Sequence, residues 1–204
     1  MSTTNSEFDQ TYAAEQLRRS RHPLRRLIKN FYLDRVLREV HGPTIDFGCG
    51  AGQILLKLPP GSIGLEVNPH LVRALQQEGA NAQFYDATSD DFSLSNLEPK
   101  VYESFVISHV LEHFPDSASV MHKIWRACNR LGVRTIVAVV PGAKGYASDH
   151  THRTFITERY IAEHDLTQCE GFVLRKKEYF PINSAVVGDY FIFHELKLVY
   201  TRES

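Results

Sequence analysis

Asp46, Gly48, Gly50 and Gly52 stand at alternate positions in the stretch Thr44-Ile45-Asp46-Phe47-Gly48-Cys49-Gly50-Ala51-Gly52. A short apolar run delivers an acid to the end of a strand. The glycines then let a bulky ligand lie against the backbone, where a side chain would block it. Gln53-Ile54-Leu55-Leu56-Lys57 reads as the start of a helix, whose first N–H groups would point at the same ligand. The ligand such a turn accepts is nucleotide-like. Nicotinamide enzymes space their glycines as Gly-x-Gly-x-x-Gly, whereas here the third glycine comes one residue sooner. An acid two residues before the first glycine also suits a ligand with a cationic tail better than a pyrophosphate.

Further groups with chemical potential follow. Glu66 closes the apolar run Ser62-Ile63-Gly64-Leu65, and Asp86 follows the run from Ala80 to Tyr85. Ser108-His109-Val110-Leu111-Glu112-His113 comes after a fourth apolar run, and on a helix residues 109, 112 and 113 would share one face. Such a His–Glu–His face could hold a divalent cation. The expectation is nevertheless no metal, with Glu112 and His113 anchoring their loop through hydrogen bonds. A long polar connection, 141–153, carries His150 and His152, which would face opposite ways if it is extended. Histidine ionises near neutral pH, so His150, His152 and His113 are the candidates for a general base. His150 and His152 are favoured, because a loop can close over a substrate.

The glycine stretch matches in full the form Asp-x-Gly-x-Gly-x-Gly and resembles the first motif of class I S-adenosylmethionine (SAM)-dependent methyltransferases. Leu111-Glu112-His113, followed after one residue by Pro115-Asp116, is similar to a segment of the small-molecule methyltransferase group. The resemblance implies SAM as cofactor, held by Asp46, Phe47, Gly48, Cys49, Gly50 and Gly52. Glu66, with Val67 and Asn68, would receive the ribose hydroxyls. Asp86 and Ala87 would meet the adenine, and Ser108 and His109 the methionine end. It also implies transfer of the sulfonium methyl to an oxygen, nitrogen or carboxylate of a small molecule. N-terminal helices often cover the cofactor in such enzymes, which makes Tyr12 and Arg18 further candidates.

The elements that must position these groups follow from periodicity. Between Ser20 and His41, Leu24, Leu27, Ile28 and Phe31 mark one helical stripe, and Leu33, Val36, Leu37 and Val40 a second. Residues 1–41 thus read as a helical cap and 42–204 as one SAM-binding domain. Asn68 caps a helix that starts at Pro69 and ends at Gly79. Pro115-Asp116 opens another, with Val120, Ile124, Ala127 and Leu131 on one face. Val133 to Val140 is the most apolar strand, as a central parallel strand should be. Thr157 caps a helix to His164, and two strands, 172–182 and 190–200, close the chain as a hairpin. The expected fold is a Rossmann-like α/β domain, a seven-stranded, mostly parallel sheet with an antiparallel last strand and helices on both faces.

Composition narrows the function. The chain has 204 residues, 43% hydrophobic and 23% charged, with a formal net charge of −1. No whole-molecule field draws it to nucleic acid or membrane, and no apolar run reaches membrane-spanning length. Three cysteines without metal-ligand spacing suit a reducing cytoplasm. The partner expected is therefore a small-molecule acceptor, and the protein a monomer or homodimer. Two rivals stand beside this reading: an RNA-directed methyltransferase using Arg18, Arg19, Arg21, Arg25, Arg26 and Lys29, and a SAM-binding protein without catalysis.

Overall fold

The computed structural model describes residues 32–203. The first apolar stripe and the arginine-rich run, with Tyr12 and Arg18, lie outside these residues. Eight strands form one sheet: β1 (Thr44–Phe47), β2 (Ile63–Glu66), β3 (Ala82–Phe84), β4 (Ser104–Ser108), β5 (Thr135–Pro141), β6 (Gln168–Cys169), β7 (Phe172–Phe180) and β8 (Glu195–Arg202). Their order is β3-β2-β1-β4-β5-β8-β7-β6. The first five run parallel, and β8 inserts antiparallel between β5 and β7. The seven expected strands are present, and the two-residue β6 adds an eighth at the edge beyond β7.

The helices are α1 (Pro69–Gln77), α2 (Ser117–Leu131), α3 (Ala143–Ala147) and α4 (Glu158–Glu163), after a leading helical segment at 32–37. Asn68 caps α1 by accepting from His70 N and Leu71 N. Asp116 caps α2 through Ser119 N, and left-handed Gly132 closes it. Thr157 caps α4 through Tyr160 N. Strand β4 shows why both faces need cover: Phe105 and Ile107 pack with Met121, Ile124 and Trp125 of α2 on one side. Val106 packs with Val137, Val139, Leu33 and Val36 on the other. All seven residues of β5 are buried. Trp125 is a core residue, edge-on to Tyr200 with centroids 5.3 Å apart.

Two local expectations change. The helix expected after the glycine turn is only a 3-10 turn, Leu55–Lys57. Pro59 disfavours helical geometry at Leu58, which is extended (ψ 156°). His109 adopts φ +56°, and Leu111–His113 is a single 3-10 turn, so residues 109, 112 and 113 do not share a helix face. Lys197 of β8 is buried. Its Nζ donates to Arg35 O (3.0 Å) and Glu39 Oε1 (2.8 Å) and pairs with Glu178 Oε2 (3.0 Å). The ammonium thereby fastens the leading segment across the sheet.

Candidate active site

The turn after β1 is hung from β2 by Gly48 N and Cys49 N, both bonded to Leu65 O (2.8 and 3.1 Å). Its three glycines all have positive φ, but they serve different ends. A Cβ on Gly48 would lie 2.4 Å from Val110 Cγ2, and one on Gly52 2.3 Å from Leu75 Cδ2. Those two glycines let neighbouring elements approach. A Cβ on Gly50 (φ +54°) would meet no described atom within 4 Å. Gly50 is thus the one whose bare backbone faces open space among the described residues. Cys49 is a small buried residue beneath the turn, its Sγ 2.7 Å from where a Cβ on Gly64 would sit.

Two acids line this turn. Asp46 is buried on β1, and its Oδ2 has no hydrogen-bond partner among the described residues. Burial, with Glu66 nearby, pushes its carboxyl up to about 7 despite a hydrogen bond from the Leu55 backbone. Glu66 ends β2 and grips the turn: Oε2 accepts from Gly50 N and Oε1 from Asn68 N, both at 2.8 Å. Burial raises its carboxyl, and the backbone donors pull the other way.

The remaining expected cofactor residues divide. Val67 is partly exposed beside Glu66, and Ala87 is half-buried next to Asp86. Phe47 points its ring into the core against Phe105 and Tyr85, so only its backbone can reach a ligand. The Asn68 side chain caps α1. Asp86 has its oxygens engaged in a turn, Oδ1 accepting from Thr88 N, Thr88 Oγ1 and Ser89 N, and Oδ2 from Ser89 Oγ. These hydroxyls hold its carboxyl below the usual range.

At the end of β4, Ser108 Oγ and the Tyr32 hydroxyl share a 2.5 Å hydrogen bond, with the Tyr32 ring 5.2 Å from Phe180 and 6.1 Å from His109. His109 bridges two carboxylates, Nε2 at 3.0 Å from Glu195 Oε1 and Nδ1 at 3.3 Å from Glu112 Oε1. Burial alone would lower its pKa, but Glu195 and Glu112 outweigh burial and push it up to about 10. His109 is therefore an imidazolium at neutral pH. Tyr32 and Glu195 were not foreseen, since each joins the site only through distant pairing of the chain.

The connection after β5 is fixed in place rather than free to close. Arg153 N and Thr154 N both donate to Glu112 O (2.7 and 3.1 Å), and Thr154 Oγ1 donates to Phe114 O (2.7 Å). His152 lies inward, 8% exposed, and stacks on Tyr146 of α3. Its Nδ1 donates to Tyr146 O (2.8 Å), because a carbonyl only accepts. His113 is held differently. The Thr151 hydroxyl donates to Asp149 Oδ1 (2.7 Å), so its oxygen must accept from His113 Nδ1 (3.0 Å). The Nε2 of His113 then carries a lone pair, and burial lowers its pKa, keeping the ring neutral at pH 7. His150 is exposed on the turn beyond. Glu112, His113 and His152 each place one possible metal-ligand atom within 4.8 Å of the others. The trio differs from the one the sequence suggested, because His109 has turned to Glu195 and His152 takes its place.

A doubly covered sheet of this order, with a glycine turn and acids at the ends of adjacent parallel strands, defines the class I, Rossmann-like SAM-dependent methyltransferase fold. Residues 45–136, a little under half of the chain, match the family described as a methyltransferase domain. Solved structures agree on the fold. A SAM-dependent methyltransferase from Archaeoglobus fulgidus is 19% identical, with 95% of this chain and 100% of that one covered at a TM-score of 0.68. Magnesium protoporphyrin IX methyltransferase from Synechocystis, with bound S-adenosylhomocysteine (SAH), is 14% identical over 97% of both chains at 0.65. The N-methyltransferase NodS from Bradyrhizobium japonicum, also with SAH, is 16% identical over 95% and 98% at 0.63. No curated protein matches the sequence. No helix among the described residues is long and apolar enough to cross a membrane.

Proposed function

We propose that this protein transfers the sulfonium methyl of SAM to an oxygen, nitrogen or carboxylate of a small molecule. The observation that carries the reading is the outward face of Gly50, flanked by the unpartnered Asp46 Oδ2 and by the Glu66 carboxylate. That setting suits a nucleoside with a cationic amino-acid tail. SAM supplies the electrophilic methyl; the chain's own task is to orient the acceptor in line with it and to take the acceptor's proton. Solved structures of this fold include enzymes with quite different acceptors, so the fold leaves the acceptor open. Labelled-methyl transfer into a metabolite extract tests the activity, and failure to label any component would favour SAM binding without catalysis.

On the acceptor side the base we assign is His113, whose Nε2 is free to accept a proton while Asp149 and Thr151 hold the opposite nitrogen. His152 supports the wall beside it.

Two results test the cofactor side. Glu66→Ala removes a carboxylate that can accept ribose hydroxyls and strands Gly50 N and Asn68 N. SAM affinity should weaken by about 1.5–3 kcal/mol, the scale of a hydrogen bond to a charged group. Unchanged affinity would remove Glu66 from the ribose assignment. The second result is a pH dependence. With its pKa near 7, Asp46 keeps its proton below neutrality, yet it must be an anion to hold a cationic tail. SAM affinity should therefore rise with pH toward about 7, by up to about tenfold per unit, and level off above it. A flat profile from pH 5.5 to 8.5 would detach Asp46 from the cofactor. For the free protein the sign is opposite. Unfolding lets Asp46 ionise at its ordinary low pKa, so its buried carboxyl costs stability progressively as pH rises from about 4 to 7.

The Glu112–His113–His152 trio receives its own check. Dialysis against a chelator is expected to leave SAM affinity and turnover unchanged, because His109 already gives Glu112 a cationic partner. Activity lost on dialysis and restored by zinc or magnesium would assign a metal to the trio.

A further inference from the structure

Beyond β4 and β5, three acceptor groups face one another with no donor among them. Glu112 is fully buried, and neither of its carboxylate oxygens has a hydrogen-bond partner among the described residues. His152 commits its Nδ1–H to Tyr146 O, and His113 its Nδ1–H to the Thr151 hydroxyl, so each neutral ring keeps a lone pair on Nε2. Even a proton on His152 Nε2 would not serve Glu112 Oε1, which lies 3.8 Å away, beyond hydrogen-bonding reach. His109 Nδ1, at 3.3 Å from Glu112 Oε1, brings a charge but no aligned hydrogen bond. One possible ligand atom from each of Glu112, His113 and His152 lies within 4.8 Å of the others. The cluster therefore lacks donors, and it lacks more than one. A buried acceptor left without a donor costs about 1–3 kcal/mol, which a ligand carrying the donors relieves.

This inference rests on the reading above, in which His113 takes the proton of the methyl acceptor. The three acceptor chemistries left open there bring different numbers of donors. A carboxylate brings none at neutral pH and would be repelled by Glu112. A hydroxyl brings one, which the base uses, and nothing is left for Glu112 or His152. A primary amine, an ammonium at neutral pH, brings three N–H donors, one for each group. The spacing agrees, because two acceptors held at about 2.9 Å by one tetrahedral nitrogen stand about 4.7 Å apart. We propose that the acceptor is a primary amine whose nitrogen is seated among Glu112, His113 and His152, and that the methyl is transferred to that nitrogen. The ammonium first gives one proton to His113 Nε2, which frees its lone pair. The lone pair then forms the bond to the methyl carbon, while the S–CH3 bond breaks and leaves its electron pair on sulfur. The nitrogen regains a positive charge as the methyl arrives, and the Glu112 carboxylate stabilises that charge as it grows.

Labelled-methyl transfer into a metabolite extract tests the assignment before the acceptor is named, because the products separate by their chemistry. N-methyl amines stay on a cation exchanger and survive alkali, methyl esters release methanol in mild alkali, and methyl ethers do neither. The label should appear chiefly in the amine fraction. Glu112→Gln keeps the shape of the side chain and removes its charge. Initial amine labelling by this variant should fall roughly tenfold, the effect of removing one nearby charge in a partly screened site. Its SAM affinity by calorimetry and its melting temperature should stay close to wild type. A merely structural role would lower labelling, affinity and melting temperature together, and that result overturns the proposal. Amine labelling unchanged in Glu112→Gln does the same. Label in the ester or ether fraction also overturns it, while leaving methyl transfer from SAM standing. If wild type labels nothing, the proposed function falls, and the amine assignment with it.

Discussion

Gly50→Val should abolish SAM binding while the protein still unfolds cooperatively. The added Cβ meets no described atom within 4 Å, so the fold itself has room for it. Its positive φ adds strain on the order of 1–2 kcal/mol for a residue with a Cβ, and the side chain projects where the cofactor would lie in the proposed mode. We expect affinity to fall by at least about a hundredfold, the product of that strain and a direct clash. The neighbouring glycine supplies the contrast. At Gly52 a side chain would drive into Leu75 Cδ2 at 2.3 Å, so Gly52→Val should lower thermal stability through overpacking. Calorimetry and thermal melts on the two variants check both halves. If Gly50→Val binds SAM normally, the turn is only a turn.

The second large effect is on turnover. His113→Ala should lower it by about 10²–10⁴-fold, the range for loss of a general base, with SAM affinity little changed. The deficit should shrink as pH rises, because the acceptor then ionises without help. Thr151→Val should reproduce part of the loss by releasing His113 Nδ1, whereas Thr151→Ser should restore it. His150→Ala, on the exposed turn, should stay near wild type. These rates are to be measured once an acceptor has been found. A collapse confined to His150→Ala would move the base to the outer surface of the loop, and near-normal rates in His113→Ala, His150→Ala and His152→Ala alike would leave proximity as the main driver.

The glycine turn and the acids beside it were legible because they are written locally. Acid, strand end and glycine spacing lie within nine residues, and Glu66 and Asp86 each close an apolar run. The cap at Asn68 and the central strand β5 were readable for the same reason. The groups beyond β4 and β5 depend on what the sheet brings together across the chain. Glu195 meets His109 only because β8 inserts beside β5, with Glu195 opposite Pro141. The loop with His150 and His152 read as a closing lid. Two main-chain bonds to Glu112 O pin it, and backbone bonds leave no mark in side-chain pattern. Lys197 is buried because the leading segment is laid over its face of the sheet, where it meets Glu39 and Glu178.

In the proposed function the turn at Gly50, with Asp46 and Glu66, takes a cationic adenosyl cofactor rather than a dinucleotide. Titrating the wild-type protein with SAM and with NAD in parallel tests it most directly. Saturable SAM binding at micromolar levels is expected, with proton release below pH 7 as Asp46 ionises, and no heat from NAD. Binding of NAD without binding of SAM would contradict it.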